Sequence, residues 1–186
     1  MCALSLLVLL QGCAADTGID RLSELMYSEY CADVDFVLSD GTENIEGKAT
    51  VTKGETVKIA FMSPECFEGM TVENDGNGQT GNVYFTYYGM KVPLPENAFT
   101  KINLVMSFFS DETAMAVSSL PKKEIFDMPE YSQDKNISAK KCVFTTSGGE
   151  TSVCLVYNAT DGSPLEYSAR NGIYTADIKF NGFGNK

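Results

Sequence analysis

Cys66 and the carboxylates beside it are the residues whose types come closest to a catalytic centre. Glu65 and Glu68 flank the thiol, and Asp33 and Asp35 form a second pair of acids. A thiol nucleophile needs a base to activate it, most often histidine, and the chain contains no histidine. Paired acids act in glycosidases when held about 5–9.5 Å apart, but no spacing here requires that geometry. The sequence therefore predicts a protein that is not an enzyme.

Metal and cofactor chemistry also lack the usual residues. Histidine is absent and no Cys-x-x-Cys pair occurs, which argues against a zinc ribbon or a thioredoxin-like site. The segment Asn74–Gly78 carries side-chain oxygens at alternate positions. A calcium loop of the EF-hand type needs a Glu at its twelfth position and a helix on each side, whereas strands are predicted on both sides here. We predict a turn at this segment, with no metal and no cofactor.

The composition predicts a folded domain with an acidic surface. Hydrophobic residues make up 44% of the chain and charged residues 21%, which is typical of a globular protein. The formal net charge is −11. This charge argues against nucleic acid as a partner, because no basic patch is available to displace counterions from phosphates. It also argues against electrostatic adhesion to an anionic lipid surface.

Four cysteines are available for disulfide bonds if Cys2 and Cys13 lie in a processed N-terminus, as argued below. Cys142 and Cys154 are equidistant from Gly148 in a segment that is typical of a β-hairpin. A turn centred on Gly148 would place them opposite each other, with Cβ atoms about 4.5–5.5 Å apart. A bridge prefers about 3.8 Å, so this pair fits with some adjustment. A Cys142–Cys154 bridge and two buried free thiols are both open at this stage, and the same holds for the two remaining cysteines.

The N-terminus carries a short apolar run, Ala3–Leu10, that ends in Leu10-Gln11-Gly12-Cys13. This tetrapeptide resembles the lipobox of bacterial lipoproteins. The resemblance implies that residues 1–12 are a signal peptide, that Cys13 becomes the acylated N-terminus, and that residues 13–19 are a tether. Residues 20–186 are then a single domain in the bacterial cell envelope, extracytoplasmic and anchored to the membrane by the lipidated cysteine.

Two alternatives to the lipobox are weaker. A membrane-spanning helix needs about 20 apolar residues, and Ala3–Leu10 is too short. An ordinary secretory signal has a cationic start and an A-x-A-like cleavage site; the sequence Ala14-Ala15-Asp16 offers such a site, but no Lys or Arg precedes the apolar run. We therefore also expect that translation starts upstream of Met1.

Alternation of apolar and polar residues predicts about nine β-strands. They are bounded by turn residues such as Lys53-Gly54 and Asn171-Gly172, which favour antiparallel hairpins. The predicted strands cover approximately residues 34–38, 45–52, 56–62, 68–73, 82–88, 142–146, 151–157, 165–169 and 173–180.

Helical spacing predicts three helices, one before the first strand and two between the fifth and sixth strands. Asp20 caps a predicted helix that runs to about Tyr30. A second predicted helix begins at Pro95 and carries the apolar stripe of Ile102, Val105 and Phe109. A short third helix is predicted from Glu112 to Ser119.

This order of elements resembles the LolA/LolB family of lipoprotein carriers and related mycobacterial lipid-binding lipoproteins. The resemblance rests on the segments Phe61–Met70 and Val83–Met90, together with the element order. It implies an α+β fold in which a strongly curved antiparallel sheet forms a half-barrel and helices cover its concave face. It also implies an apolar cavity between sheet and helices, and it implies no catalytic residues.

The apolar faces of three strands and one helix are the predicted lining of that cavity. The predicted lining residues are Val57, Ile59, Phe61, Val83, Phe85, Tyr87, Ile102, Val105, Phe109, Val153, Leu155 and Tyr157. The alternative for each of them is ordinary packing of the sheet against the helices.

Two functions from different classes follow. The first is a membrane-anchored lipoprotein that binds a lipid or another apolar ligand in the cavity. The second is a cell-surface interaction or sensor domain with a filled core and no small-molecule ligand. An acylated Cys13 favours a resident binder over a soluble shuttle, because the anchor holds the protein at the membrane.

Overall fold

The computed structural model describes residues 17–75, 82–94, 100–121, 124–131, 136–146 and 149–185. The helices are α1 (Thr17–Tyr27), α2 (Thr100–Phe108) and α3 (Asp111–Ser118). A single 3-10 turn covers Glu65–Phe67.

The strands alternate with tight turns along most of the chain. Their bounds are β1 (Tyr30–Ser39), β2 (Asn44–Lys53), β3 (Val57–Ser63), β4 (Thr71–Asn74), β5 (Val83–Tyr87), β6 (Met90–Pro93), β7 (Ile125–Met128), β8 (Ala139–Thr145), β9 (Thr151–Asn158), β10 (Pro164–Asn171) and β11 (Tyr174–Asn185).

All eleven strands form one antiparallel sheet in the order β6-β5-β4-β3-β2-β1-β11-β10-β9-β8-β7. Two meanders, β1–β6 and β7–β11, are joined by α2 and α3 and meet where β1 pairs with β11. Register shifts occur opposite Asp33 and Val34, where Asn181 of β11 is the extra residue, and opposite Lys48 and Ala49, where Met62 of β3 is the extra residue. Such bulges increase the local twist and bend the strand, which favours curvature of the sheet.

One face of the sheet carries the core. In β1 the buried side chains of Tyr30, Val34 and Phe36 alternate with more exposed ones such as Asp33 and Asp35. Because side chains in a strand alternate between faces, the apolar set lies on one face, called the inner face below. The main hydrophobic cluster joins the inner faces of β1–β3 and β8–β11 to the three helices.

The helices pack on the centre of the inner face. Helix α2 packs on β1, β10 and β11, and α1 packs on β9 and α3. The α1 residues Ile19, Leu22 and Met26 are buried at helical spacing. Ser110 caps α3, because its hydroxyl accepts a hydrogen bond from the Thr113 backbone N–H at 3.2 Å.

A buried lysine connects three of these elements. Lys53, the last residue of β2, is only 4% exposed. Its Nζ donates to the Met26 carbonyl in the last turn of α1 at 2.5 Å and lies 3.3 Å from Oδ1 of Asp111 at the start of α3. A cation suits a helix C-terminus, and an aspartate suits a helix N-terminus. This contact therefore fixes both helix ends against the sheet.

The predicted fold class is confirmed: the protein is α+β, with a curved antiparallel half-barrel and helices on one face. The described residues form eleven strands instead of about nine, because Met90–Pro93 and Ile125–Met128 also pair into the sheet. The predicted helix at 20–30 lies three residues earlier, and Tyr30 begins β1. The predicted second helix is described from Thr100, and its expected start at Pro95 lies outside the described residues.

Two buried tyrosines give a matched test of the core. Tyr30 is fully buried and its hydroxyl has no hydrogen-bond partner within the described structure. The hydroxyl of Tyr167, also buried, lies 2.6 Å from Ser107 Oγ and 3.3 Å from the Leu104 carbonyl oxygen. Burial raises the pKa of both phenols above the ordinary value. Both therefore stay protonated at neutral pH.

We expect Tyr30→Phe to leave the free energy of unfolding unchanged or to raise it by up to about 1 kcal/mol, because it removes an unpaired buried polar group. Tyr167→Phe should lower the free energy of unfolding by about 1–2 kcal/mol, because a buried hydrogen bond is lost. Urea unfolding of the two variants measures the difference. An equal loss in both variants would contradict this assignment.

Candidate functional site

The structure divides the twelve predicted lining residues into two groups. Seven are buried in the main core: Val57, Ile59, Val105, Phe109, Val153, Leu155 and Tyr157. Phe61 and Ile102 are partly buried and pack against this core, whereas Val83, Phe85 and Tyr87 of β5 are half-buried.

Among the described residues, the space between α2 and strands β1–β3 is nearly filled. The cavity there has a volume of about 10 Å³, which is roughly the minimum for one water molecule. Small-molecule sites usually have about 300–1,000 Å³. Its lining residues are Val34, Phe36, Leu38, Ala49, Ile59, Phe61, Ile102 and Val105. Most of the predicted lining residues therefore act as core in this conformation.

Beyond the helices, the apolar inner face continues onto strands β4, β5 and β6, here called the wing. The register aligns Ile59 of β3 with Val72, Val72 with Phe85, and Phe85 with Val92. Exposure rises along this row: Ile59 and Val72 are buried, Phe85 is half-buried and Val92 is 51% exposed. In the neighbouring row, Tyr87 pairs with Met90, which is 67% exposed. The wing thus presents apolar side chains that the helices leave partly open.

The opposite face of the wing is polar. Lys91 Nζ lies 3.4 Å from Glu73 Oε2 and 4.2 Å from the centre of the Tyr84 ring. Neighbouring residues in a strand point to opposite faces. Tyr84 therefore lies on the outer face of β5, and Phe85 lies on its inner face.

Helix α2 is fixed at its start by an ion pair with the β1–β2 turn. Lys101 Nζ lies 2.7 Å from Asp40 Oδ2. Asp40 Oδ1 also accepts hydrogen bonds from the Thr42 hydroxyl and from the backbone N–H groups of Thr42 and Glu43. Lys101, followed by these donors, lowers the pKa of Asp40 well below its ordinary value. The carboxylate therefore holds α2 close to Leu38 and Phe61.

The described residues also line open clefts elsewhere. One, of about 590 Å³, lies between the C-terminal end of α3 and strands β7 and β8; Leu120, Phe126 and Phe144 contribute to its lining. Another, of about 290 Å³, lies on the outer face of the sheet and is lined in part by Asp35 and Glu166.

The Cys142–Cys154 bridge, one of the two outcomes that the sequence leaves open, does not form. The register pairs Cys142 with Leu155 and Val143 with Cys154, so the two thiols lie on opposite faces of the sheet and no disulfide joins them. Cys142 is buried in the core, while Cys154 lines the outer cleft. Burial, as the largest cause, raises the pKa of the Cys154 thiol.

The residues first considered for catalysis do not converge. Cys66 and its neighbours Glu65 and Glu68 are exposed on the turn after β3. Asp33 accepts a hydrogen bond from Thr50, and Asp35 lies 4.0 Å from Lys48. Among the described residues, no group of three or more Cys, Asp or Glu side chains is placed to hold a metal ion. Cys13 lies outside the described residues.

Comparison with known proteins gives a match of fold only. No family model matches the chain, and no curated protein is similar to it. A solved structure of an uncharacterised conserved protein from Thermus thermophilus matches with a TM-score of 0.51 and 17% identity. The match covers 91% of this chain and 86% of the Thermus chain, so the two share a fold over nearly their whole length.

The matched structures also include a LolA superfamily protein and a mycobacterial lipoprotein. A LolA superfamily protein from Nitrosomonas europaea has a TM-score of 0.47 and 6% identity, covering 92% of this chain and 93% of its own. The lipoprotein LppX from Mycobacterium tuberculosis has a TM-score of 0.46 and 9% identity, covering 89% and 92%.

The described helices are all too short or too polar to cross a membrane.

Two features of the site were not predicted from the sequence. The apolar residues Met90 and Val92 belong to a strand that was not predicted, although their alternation with Lys91 is a weak strand signal. The pair of Asp40 and Lys101 joins a turn to a helix across a long stretch of sequence, and no local pattern encodes that contact.

The ion pair of Asp40 predicts a pH dependence. A carboxylate with a lowered pKa in the folded state stabilises the protein above its unfolded pKa, which is about 3.9, and this stabilisation is lost as pH falls through the folded pKa. Asp40→Asn should therefore lower stability at pH 7, and its difference from wild type should shrink below about pH 4. Urea unfolding between pH 7 and pH 2.5 measures this.

Lys101→Gln is the matched control for that experiment. It removes the same ion pair from the other side, so combining it with Asp40→Asn should cost less than the sum of the two single changes. A difference between wild type and Asp40→Asn that stays constant down to pH 2.5 would contradict the role of the carboxylate.

Proposed function

We propose that the protein binds an acyl chain or a similar apolar ligand along the inner face of β3–β6, beside α2. The observation that carries this proposal is the row Ile59, Val72, Phe85 and Val92, which leads from the core to an exposed sheet edge. A ligand lying along this row covers apolar surface that the helices leave open.

The free energy available from burying the apolar side chains of the wing favours a ligand that also displaces part of α2. Burying a large apolar side chain contributes about 1.5–3 kcal/mol, and Phe85 and Val92 have only part of that area left to bury. Contact with the wing alone gives an interaction of a few kcal/mol, which corresponds to about millimolar affinity. Tighter binding needs further surface, and the partly buried Phe61 and Ile102 at the edge of α2 are the nearest source.

A second candidate is an interaction domain with a filled core and no small-molecule ligand. The specific observation that favours it is the cavity of about 10 Å³ beneath α2. In this case the exposed apolar residues of the wing contact another protein. The two candidates differ in whether the purified protein retains lipid.

Native mass spectrometry of protein purified from bacterial cells separates these candidates. The first predicts a retained acyl lipid that is lost in Phe85→Ser and kept in Tyr84→Ser, because these neighbours lie on opposite faces of β5. Thermal melting checks that both variants are folded. Wild-type protein without lipid would favour the second candidate, and loss of lipid only in Phe126→Ser would move the ligand to the cleft beside α3.

We also propose that Cys13 anchors this domain in the cell envelope, with residues 1–12 removed, 13–19 as the tether and 20–186 as the binding domain. The lipobox-like sequence Leu10-Gln11-Gly12-Cys13 supports this, and the proposed binding involves no catalytic step and no cofactor. Extracytoplasmic exposure agrees with an acidic surface, which favours solubility.

Metabolic labelling with palmitate tests the anchor directly. The wild-type protein should be labelled and Cys13→Ser should not. Most of the Cys13→Ser protein should also be found outside the membrane fraction. Cys66→Ser serves as the control, because Cys66 is an exposed thiol of the folded domain. Equal labelling of wild type and Cys13→Ser would rule out this attachment site.

A further inference from the structure

The turn between β5 and β6 holds a tyrosine in an unfavourable backbone conformation. Tyr88 and Gly89 form a two-residue turn, and both have positive φ angles, 46° and 79°. Turns of this kind need positive φ at both positions and prefer Asn, Asp or Gly there. A bulky side chain in this region is strained, so local conformational preference does not account for Tyr88.

The side chain of Tyr88 is also poorly buried. It is 85% exposed, more than any other large hydrophobic side chain in the described part of the chain. Its contact within the fold is with half-buried Tyr87, whose ring centre lies 4.3 Å away and whose side chain is hydrogen-bonded to that of Tyr88. Met90 follows the turn and is 67% exposed. Strained residues that add little packing cluster at functional sites, which makes this turn a candidate contact surface.

The charge of the hairpin differs from that of the chain. Residues 83–93 contain no Asp or Glu and only one charged residue, Lys91, while the whole chain carries a formal charge of −11. Lys91 is directed to Glu73 and the Tyr84 ring on the outer face. The turn itself therefore presents an uncharged aromatic and apolar tip, which suits an electrically neutral apolar partner.

The size of the tip favours a lipid surface over a protein. A stable protein interface buries at least about 1,000 Å² in total, and a single aromatic side chain supplies about 150–250 Å². Tyr88 and Met90 together fall well short of that area. A protruding tip of this size is sufficient to enter the boundary of a bilayer, where tyrosine is enriched because its ring is apolar and its hydroxyl is polar.

We propose that the β5–β6 turn inserts Tyr88 and Met90 into the headgroup–acyl boundary of a zwitterionic lipid surface. This contact does not depend on the proposed ligand or on the acyl group at Cys13. It brings the exposed end of the wing, with Val92 and Phe85, next to the lipid.

The absence of tryptophan from the chain allows a local test. In the full chain carrying Cys13→Ser, Tyr88→Trp provides a single fluorescent probe at the tip, and Phe126→Trp provides one at the opposite edge of the sheet. Vesicles of pure phosphatidylcholine should shift the emission of Trp at position 88 to shorter wavelength. Lipids brominated near the headgroup should quench it. The probe at position 126 should not respond.

Tyr88→Asn separates lipid contact from folding. Asparagine adopts positive φ more easily than tyrosine, so this variant should melt about 2–4 °C higher than its parent. It should also bind phosphatidylcholine vesicles about tenfold more weakly in a sedimentation assay. Higher stability with weaker binding is not expected of a residue that only packs within the fold.

The proposal would be overturned by the lack of a spectral shift at position 88, or by unchanged vesicle binding in Tyr88→Asn. An equal shift at positions 88 and 126 would also overturn it, because binding would then occur through another part of the chain, such as the apolar run Ala3–Leu10. The lipid-retention experiment with Phe85→Ser tests ligand binding, and the vesicle experiments test the contact at Tyr88. Either proposal can therefore fail without the other.

Discussion

The pairing of β1 with β11 is the contact on which the rest of the fold depends. Every other strand pair in the sheet joins strands that follow each other along the chain, whereas this pair joins the two ends of the domain. The pairing runs from Tyr30 opposite Asn185 to Ser39 opposite Thr175. Without it the chain would form two separate meanders, each with an unprotected edge. Closing so long a loop costs entropy before it yields contacts, and long-range pairings of this kind fold slowly.

This central pairing also explains why the helices lie where they do. The inner faces of β1 and β11 bring Val34, Phe36 and Ile178 together at the middle of the sheet, and α2 packs there. Lys53 and Asp40 then fix the helices from two sides. The centre is therefore closed and filled, and the sheet extends beyond the helices in both directions. Apolar surface remains accessible mainly at the periphery, on the wing and in the cleft beside α3, so the structural argument for ligand contact shifts from the centre to these edges.

Much of the fold could be predicted from local patterns. Alternation in β1 and the turn signals Lys53-Gly54 and Asn171-Gly172 predict an antiparallel meander, and the observed hairpins follow them. Strands β6 and β7, each of four residues, were not predicted. The Cys142–Cys154 bridge that the sequence allows is absent because of the strand register. The hairpin is centred between residues 148 and 149 and not on Gly148, since Thr145 pairs with Ser152. A shift of one residue in register moves a side chain to the other face, and sequence spacing alone does not resolve it.

The candidate site was less predictable than the fold because it depends on how much of each apolar face the helices cover. The sequence pattern of Ile59 on β3 is like that of Phe85 on β5, and both lie on the inner face. They differ only in tertiary coverage, which is complete for Ile59 and partial for Phe85. Tyr88 is the opposite case, because the Tyr-Gly sequence at the turn conflicts with the conformation that the turn requires. Natural sequences agree with their structures at most positions and depart from that agreement at functional sites. The wing combines both signals, accessible apolar surface and a locally unfavourable residue, within one hairpin, and this coincidence is the physical reason to place lipid contact there and not at the filled centre.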